Sequence, residues 1–303
     1  GCVIGTRPID LHIDALKQMG VEFKEEAGLL RASADRLHGA GICLSRSSVG
    51  ATENIILAGG MAEGDTELKG AAKEPEIVAL CRYLERCGAC IEGIGTDCLC
   101  IKGGRTLYGT DFEVPADRIV AGTYLLTCIG TGGNVFLGKA PWREMEAVTD
   151  LAERMGGKLC ISDNGIYVQG PDRPRAIEYV ATAPYPGFPT DLQSVALAVE
   201  TVGDGKTVIE EKIFENRFRV VEELRRMGAN IQQLDASRVL VEGVPALHGA
   251  AVEARELRGG AALVAAGLMA RDKSSVSGCL YIYRGYENIC RDFRELGARI
   301  ISV

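Results

Sequence analysis

A glycine that closes a helix-like run and precedes an alternating apolar segment recurs at Met19-Gly20, Cys87-Gly88, Met155-Gly156, Met227-Gly228 and Leu296-Gly297. Gly20 to Gly88 and Gly88 to Gly156 are 68 residues each, and the next two steps are 72 and 69. A second marker, a turn from helix to strand at Gly64, Gly133, Gly205 and Asp272, keeps the same rhythm. Two markers in step are the signature of a repeated supersecondary unit, and such a unit must stack on its neighbours to bury its apolar face.

Within a unit the pattern is strand, helix, strand, helix, strand, strand. In residues 40–101, Ile42-Cys43-Leu44 is short and apolar, Val49 to Met61 has helical spacing, and Thr66-Glu67-Leu68 alternates. Glu74-Pro75-Glu76 then opens a helix, with proline near the first turn and acids at its positive end. That helix runs through Ile77, Leu80, Tyr83 and Leu84 to Cys87-Gly88, where glycine supplies a left-handed stop. The same form is expected at about 110–168, 174–242 and 250–302, giving four units and the tail of a fifth, residue 1 to about 30. Two helices and four strands cannot cover both faces of their own sheet. If units assemble in threes around shared helices, the natural total is six, and roughly one and a half precede Gly1. A boundary is expected near Glu113 to Ala116, where Val114-Pro115 would end a strand. It would separate an incomplete domain, 1–115, from a complete three-unit domain, 116–303.

The net charge of −7 argues against nucleic acid or an anionic membrane as the main partner. The longest small-apolar stretch, Gly259 to Ala270, is too short to span a bilayer. No signal peptide is visible, although the first residue is Gly and not Met. Eleven cysteines without framework spacing suit a reducing cytosol. Cys87, Cys90, Cys98 and Cys100 form the one cluster, which has a zinc reading, but spacing this short across a helix and two strands rarely closes a tetrahedron. Cys87 also fills a slot held by Met or Leu in the other units, so a core position is expected for it.

Chemistry is expected at the loop Gly1 to Pro8 and at the strand-to-helix joints. Cys2 sits between glycines on a loop that feeds a helix start, and Arg7 with the helix dipole would favour its thiolate. The alternative is a small buried hydrophobe. The joints read Arg46-Ser47-Ser48-Val49-Gly50, Pro115-Ala116-Asp117-Arg118, Phe188-Pro189-Thr190-Asp191 and Glu256-Leu257-Arg258-Gly259. Helix N-termini gathered in one place offer unpaired N–H groups that suit phosphate, and Arg7, Arg258 and Arg284 would add charge-assisted forks. Any single joint also has a plain capping role, Ser48 and Thr190 being ordinary cap residues. Asp191 after two prolines could act as a general base or simply as an acid at a helix start. Gly130-Thr131-Gly132-Gly133 falls at a helix-to-strand turn, the wrong end for phosphate, and His12, His38 and His248 form no ligand pattern.

Six motifs, in order along the chain, carry a family resemblance. They are Gly1-Cys2-x-Ile4-Gly5-x-Arg7-Pro8-x-Asp10-Leu11-His12, Ser48 to Asn54, Ala71 to Val78, Thr182 to Asp191, Phe214 to Phe218 and Arg284 to Glu287. Together they resemble the UDP-N-acetylglucosamine enolpyruvyl (1-carboxyvinyl) transferases. The resemblance implies an α/β inside-out repeat fold of βαβαββ units, in two domains of three units that close on substrate. It implies a cytoplasmic enzyme that moves the enolpyruvyl group of phosphoenolpyruvate to the 3-hydroxyl of UDP-N-acetylglucosamine and releases phosphate, the first committed step of peptidoglycan synthesis. No metal or cofactor is implied. Cys2 would be the acid, the covalent partner of phosphoenolpyruvate and the target of fosfomycin. Arg7, Arg258 and Arg284 would hold the phosphate and carboxylate of phosphoenolpyruvate, and Asp191 would take the proton of the sugar hydroxyl. The UDP-sugar contacts would come from Arg7, Pro8, Ile9, Asp10 and Leu11, from Arg46, Ser47, Ser48, Val49 and Gly50, and from Ile213 and Asp191. Such chemistry needs an acid, a base and fixed cations around a dianionic substrate.

The chain departs from the pattern in two places. Glu256-Leu257-Arg258 stands where the family has Asp-Leu-Arg, and the extra methylene is expected to move the carboxylate by about 1 Å and weaken catalysis. The family's Lys-Asn pair and an arginine, both ahead of the cysteine, are not in this chain, which is therefore expected to be a fragment of the enzyme. Two rivals stand beside this expectation: the shikimate-3-phosphate enolpyruvyl transferase, whose site lacks the cysteine loop, and a UDP-sugar-binding paralogue without activity.

Overall fold

The computed structural model describes residues 8–302, which form two compact units, one ending at Pro115 and the other beginning at Ala116. The first unit opens on helix α1 (Asp10–Gln18) and the antiparallel hairpin of β1 (Glu22–Glu26) and β2 (Leu29–Ser33). One complete repeat follows: β3 (Gly41–Cys43), α2 (Val49–Met61), β4 (Thr66–Lys69), α3 (Pro75–Arg86), β5 (Cys90–Glu92) and β6 (Cys98–Lys102). Its sheet has the order β3-β4-β6-β5, with β3 and β4 parallel and the other two pairings antiparallel. Helix α2 is the crossover between the parallel strands, the connection a parallel pair requires.

Helices α2 and α3 are of different kinds, and the sequence explains both. Helix α2 is mostly apolar, Thr52, Glu53 and Asn54 excepted, with Ala51, Ile55, Ile56 and Gly59 buried, and Ser48 caps it by accepting from the Ala51 N–H at 3.4 Å. Helix α3 buries one stripe, Ile77, Cys81 and Leu84, starts at Pro75 and carries Arg86 in its last turn. Gly88, at φ +106°, then reverses the chain in a conformation that side chains rarely adopt. Across the sheet, Ile42, Leu68 and Leu99 stand in register and are buried against the helices. Each such aliphatic contributes about 1.5–3 kcal/mol by leaving water.

The second unit contains three copies of this plan. The first is α4 (Arg118–Thr131), β7 (Asn134–Gly138), α5 (Glu146–Arg154), β8 (Lys158–Ser162) and β9 (Gly165–Gln169), a sheet in the order β7-β9-β8. The second is β10 (Tyr179–Ala181), α6 (Gln193–Glu200), β11 (Lys206–Glu210), α7 (Val221–Arg226), β12 (Asn230–Gln233) and β13 (Arg238–Glu242). Its sheet order, β10-β11-β13-β12, repeats that of the first unit, and the row Val180, Ile209, Val239 is the counterpart of Ile42, Leu68, Leu99. The third is β14 (Ala251–Glu253), α8 (Leu257–Met269), β15 (Ser275–Ser277) and α9 (Ile289–Glu295). Helices α4, α6 and α8, one from each copy, pack against one another at the centre. The helices are thus inside and the sheets outside.

Two copies differ from the expected six-element form. No strand precedes α4, and the strand expected to end at Val114-Pro115 is absent. Val114 is exposed, Pro115 has no N–H for a ladder, and the segment has no alternating apolar face. After α9, residues 296–302 contain no strand, so the third copy lacks the closing pair among the described residues. Of the cysteine cluster, Cys87 is a core residue, while Cys90, Cys98 and Cys100 lie on the edge hairpin β5-β6.

Candidate active site

In the second unit the strand-to-helix joints of the second and third copies converge on one carboxylate. Asp191 lies on the one-turn helix Thr190–Leu192 that leads into α6, after the rigid approach Pro184 to Pro189, which contains a cis Tyr185-Pro186 bond. Arg217, on the short turn Arg217–Val220, donates through Nη2 to Asp191 Oδ1. Arg258, at the first turn of α8, donates through Nη2 to Oδ2 at 3.3 Å. Burial alone would push Asp191 up, but the guanidinium charges of Arg258 and Arg217 outweigh it and hold the carboxyl below its usual range. Asp191 is therefore ionised at neutral pH, and its side chain keeps 38% exposure.

The surroundings fix these groups in turn. Arg217 is only 3% exposed, its guanidinium lies over the Phe214 ring at 5.0 Å, and its Nη1 is 3.9 Å from Glu256 Oε2. Glu256 is the N-cap of α8 and accepts from the N–H groups of Arg258, at 2.8 Å, and of Gly259. The Glu256 side chain thus folds back onto its own helix. Arg258 lies over the ring of buried Tyr286 at 5.7 Å. The Thr123 hydroxyl donates to the Ile119 carbonyl at 2.8 Å, and so accepts from the Tyr286 hydroxyl at 2.7 Å. Arg258 Nη1 is buried with no hydrogen-bond partner among the described residues. An unsatisfied guanidinium arm beside an ionised carboxylate is a place for an anionic ligand.

Arg284 lies on the exposed turn Ile282–Arg284, and Asp191's ion-pair partners among the described residues are Arg217 and Arg258. Ile213, partly exposed, is held by buried Glu211, whose Oε1 accepts from the N–H groups of Ile213 (2.7 Å) and Phe214 (3.0 Å). The other oxygen of Glu211 accepts from the Thr190 hydroxyl at 2.9 Å, tying the Ile213 loop to the Asp191 turn. Arg217 and Glu211 are parts of the site to which no role was assigned from sequence. Arg217 does stand inside the Phe214 to Phe218 motif, but nothing in the order of residues shows that an arginine is buried.

The first unit holds a second cluster where the starts of α1 and α2 meet. Arg46 Nη2 donates to both oxygens of Asp10, at 2.7 and 2.9 Å, and this hydrogen bond holds the Asp10 carboxyl below its usual range. His12 Nδ1 and Asn54 Nδ2 are 2.7 Å apart, and a Cβ on Gly50 would lie 3.2 Å from the His12 ring. Only a small residue lets the two helices approach this closely. Pro8, Ile9 and Ser47 are exposed, Ser48, Val49 and Gly50 are half-buried, and Leu11 is a core residue whose side chain is not available to a ligand. Cys2 and Arg7 lie outside the described residues.

The family model described as EPSP synthase (3-phosphoshikimate 1-carboxyvinyltransferase) matches residues 1–293, and the chain belongs to this enolpyruvyl transferase family. Two of its curated relatives are named more specifically. UDP-N-acetylglucosamine 1-carboxyvinyltransferase 2 of Caldanaerobacter subterraneus subsp. tengcongensis is 42% identical over 303 residues, 100% of this chain and 72% of the relative. The UDP-N-acetylglucosamine 1-carboxyvinyltransferase of Nitratidesulfovibrio vulgaris is 42% identical over 300 residues, 99% of this chain and 72% of the relative. Among solved structures, the enolpyruvyl transferase NikO from Streptomyces tendae superposes with a TM-score of 0.84 at 22% identity, covering 97% of this chain and 72% of the other. EPSP synthase from Acinetobacter baumannii superposes with a TM-score of 0.72 at 19% identity, covering 97% and 71%. These likenesses bear on the fold, which is that of the enolpyruvyl transferases. No helix among the described residues is long and apolar enough to cross a membrane.

Proposed function

We propose that this chain carries enolpyruvyl transfer from phosphoenolpyruvate to the 3-hydroxyl of UDP-N-acetylglucosamine, with release of phosphate. The observation that carries the proposal is Asp191, ionised and gripped by two arginines, of which Arg258 has its Nη1 buried without a hydrogen-bond partner among the described residues. Arg258 would meet the carboxylate or phosphate of phosphoenolpyruvate with that arm, and Arg284 would add a second cation. A fixed cation costs nothing to reorganise as charge develops on the substrate. Asp191 would accept the proton of the sugar hydroxyl as the new C–O bond forms, while an acid delivers a proton to the methylene carbon of phosphoenolpyruvate; loss of a proton from the resulting methyl group and of phosphate from the ketal carbon then gives the enolpyruvyl ether. Cys2 is the candidate for that acid, on its motif alone. A base whose carboxyl is held below the ordinary range is weak, so its contribution rests on position rather than on basicity.

The cluster of Asp10, Arg46, Ser48 and Val49 in the first unit would receive the nucleotide sugar. A peptidoglycan-precursor role, a cytoplasmic location and sensitivity to fosfomycin belong to the same proposal. So does the division into an incomplete domain, 1–115, and a complete three-repeat domain, 116–303. Phosphate release from phosphoenolpyruvate by the full gene product that carries this chain should depend on UDP-N-acetylglucosamine, and fosfomycin should add covalently to Cys2. A folded protein that releases no phosphate with either UDP-N-acetylglucosamine or shikimate 3-phosphate would overturn the assignment. Release with shikimate 3-phosphate alone would transfer it to that rival.

A further inference from the structure

We infer that Arg217 is a positioning residue for the reaction: it clamps Asp191 Oδ1 so that Oδ2 alone is turned to the sugar hydroxyl. The inference rests on the reading of Asp191 as the proton acceptor. Two guanidiniums hold the carboxylate, one on each oxygen, and they are not equivalent. Arg217 is 3% exposed, covered by the Phe214 ring and anchored on its far side by Glu256, so no anion from solvent competes for it. Each arginine keeps one buried nitrogen without a hydrogen-bond partner among the described residues, Nη1 of Arg258 and Nε of Arg217, but Arg258 is the more exposed, at 12%, and its bond to Oδ2 is long, at 3.3 Å. An incoming anion therefore has one arginine to draw on. When Arg258 turns to it, Oδ2 is released while Oδ1 stays held.

The clamp has a chemical consequence. A carboxylate free to rotate presents either oxygen, and a misplacement of about 1 Å at a reacting group costs roughly 100-fold in rate. Burial and the guanidiniums of Arg258 and Arg217 set its charge state; the other titratable groups nearby are Glu256 beyond Arg217, Tyr286 and Asp117 around Arg258, and Glu211 across Thr190. Glu256 is shared between α8 and Arg217, which links the α8 start to the aim of the base.

The test is steady-state kinetics of the full gene product with Arg217→Gln and Arg217→Lys, from pH 3 to 9 so that the acid limb is covered, together with 13C NMR titration of the Asp191 carboxyl over the same range. Arg217→Gln should lower kcat by about 100-fold with both KM values within about threefold. The acid limb of the kcat profile and the Asp191 titration should both move to higher pH. Arg217→Lys keeps the charge with one arm, and should recover part of the rate and part of the shift. Should Arg217→Gln fail to fold, Arg217→Lys decides. A folded Lys variant with the wild-type rate and acid limb overturns the inference, and so does a loss of rate with an unmoved limb. If the wild-type protein is inactive, the functional proposal fails separately. The NMR titration then still reads the clamp, and an Asp191 that does not move on replacing Arg217 overturns it.

Discussion

Glu256 and Arg217, each with its side chain at least 95% buried, lie with carboxylate and guanidinium 3.9 Å apart, and Glu256 also caps α8. One residue thus serves a helix end and a buried cation together. Glu256→Gln leaves an acceptor for one helix N–H but removes the charge from beside Arg217. The expected loss is about 2 kcal/mol of unfolding free energy, since Arg217 loses one of its two carboxylate partners and keeps the other, Asp191. Glu256→Asp keeps charge and cap chemistry and should lose less than about 1 kcal/mol. Urea unfolding of the two variants checks this; equal losses would show that the charge is irrelevant.

Glu200 is buried at the end of α6, where burial pushes its carboxyl up to about 7, against the hydrogen bonds that it accepts from Thr207 Oγ1 at 2.6 Å and the Ile177 N–H. The native state therefore binds a proton that the unfolded chain releases near the ordinary value of 4.5. The slope of unfolding free energy with pH is negative between those values, so this group's contribution is fully present below about 4.5 and lost as pH rises through about 7. Glu200→Gln should abolish that slope and make the protein more stable than wild type at pH 8, by about 2–3 kcal/mol. Denaturant midpoints at pH 5 and pH 8 measure it.

Arg258 and Tyr286 separate substrate contact from support. Arg258→Gln removes the arm offered to the anion and one of the two charges on Asp191. It should lower kcat/KM for phosphoenolpyruvate by about 100–1000-fold and move the Asp191 titration upward. Tyr286→Phe keeps the ring under Arg258 and loses the buried hydrogen bond to Thr123, so about 1 kcal/mol of stability should go while KM stays within about threefold. Melting curves beside kinetics distinguish the two.

Arg46 is engaged by Asp10 in an exposed pair, which adds little to stability. Arg46→Gln should leave the melting temperature unchanged and raise KM for UDP-N-acetylglucosamine about tenfold, with kcat within about twofold. A variant with unaltered KM would remove Arg46 from the nucleotide-sugar contacts.

The repeat was legible because its punctuation is local. Glycine at positive φ after each amphipathic helix, as at Gly20, Gly88, Gly156, Gly228 and Gly297, is a backbone requirement that a sequence displays directly. The bounds of α2 likewise follow from Ser48 and from the apolar run to Met61. The strand expected before α4 was not formed, because pairing depends on a partner and on donor N–H groups, which a short Val-Pro segment cannot supply.

What the sequence determined on its own was the unit, its period and the joint residues Asp191 and Arg258 as candidates. Those depend on near neighbours along the chain, where propensity, capping and hydrophobic period act. Tertiary structure alone decided that Arg217 is a buried clamp, that Glu256 serves cap and cation at once, and that Leu11 belongs to the core. Burial and the low-dielectric pairing of charges are set by residues 26 to 67 positions apart, such as Asp191 with Arg217 and with Arg258, and no local signal carries them.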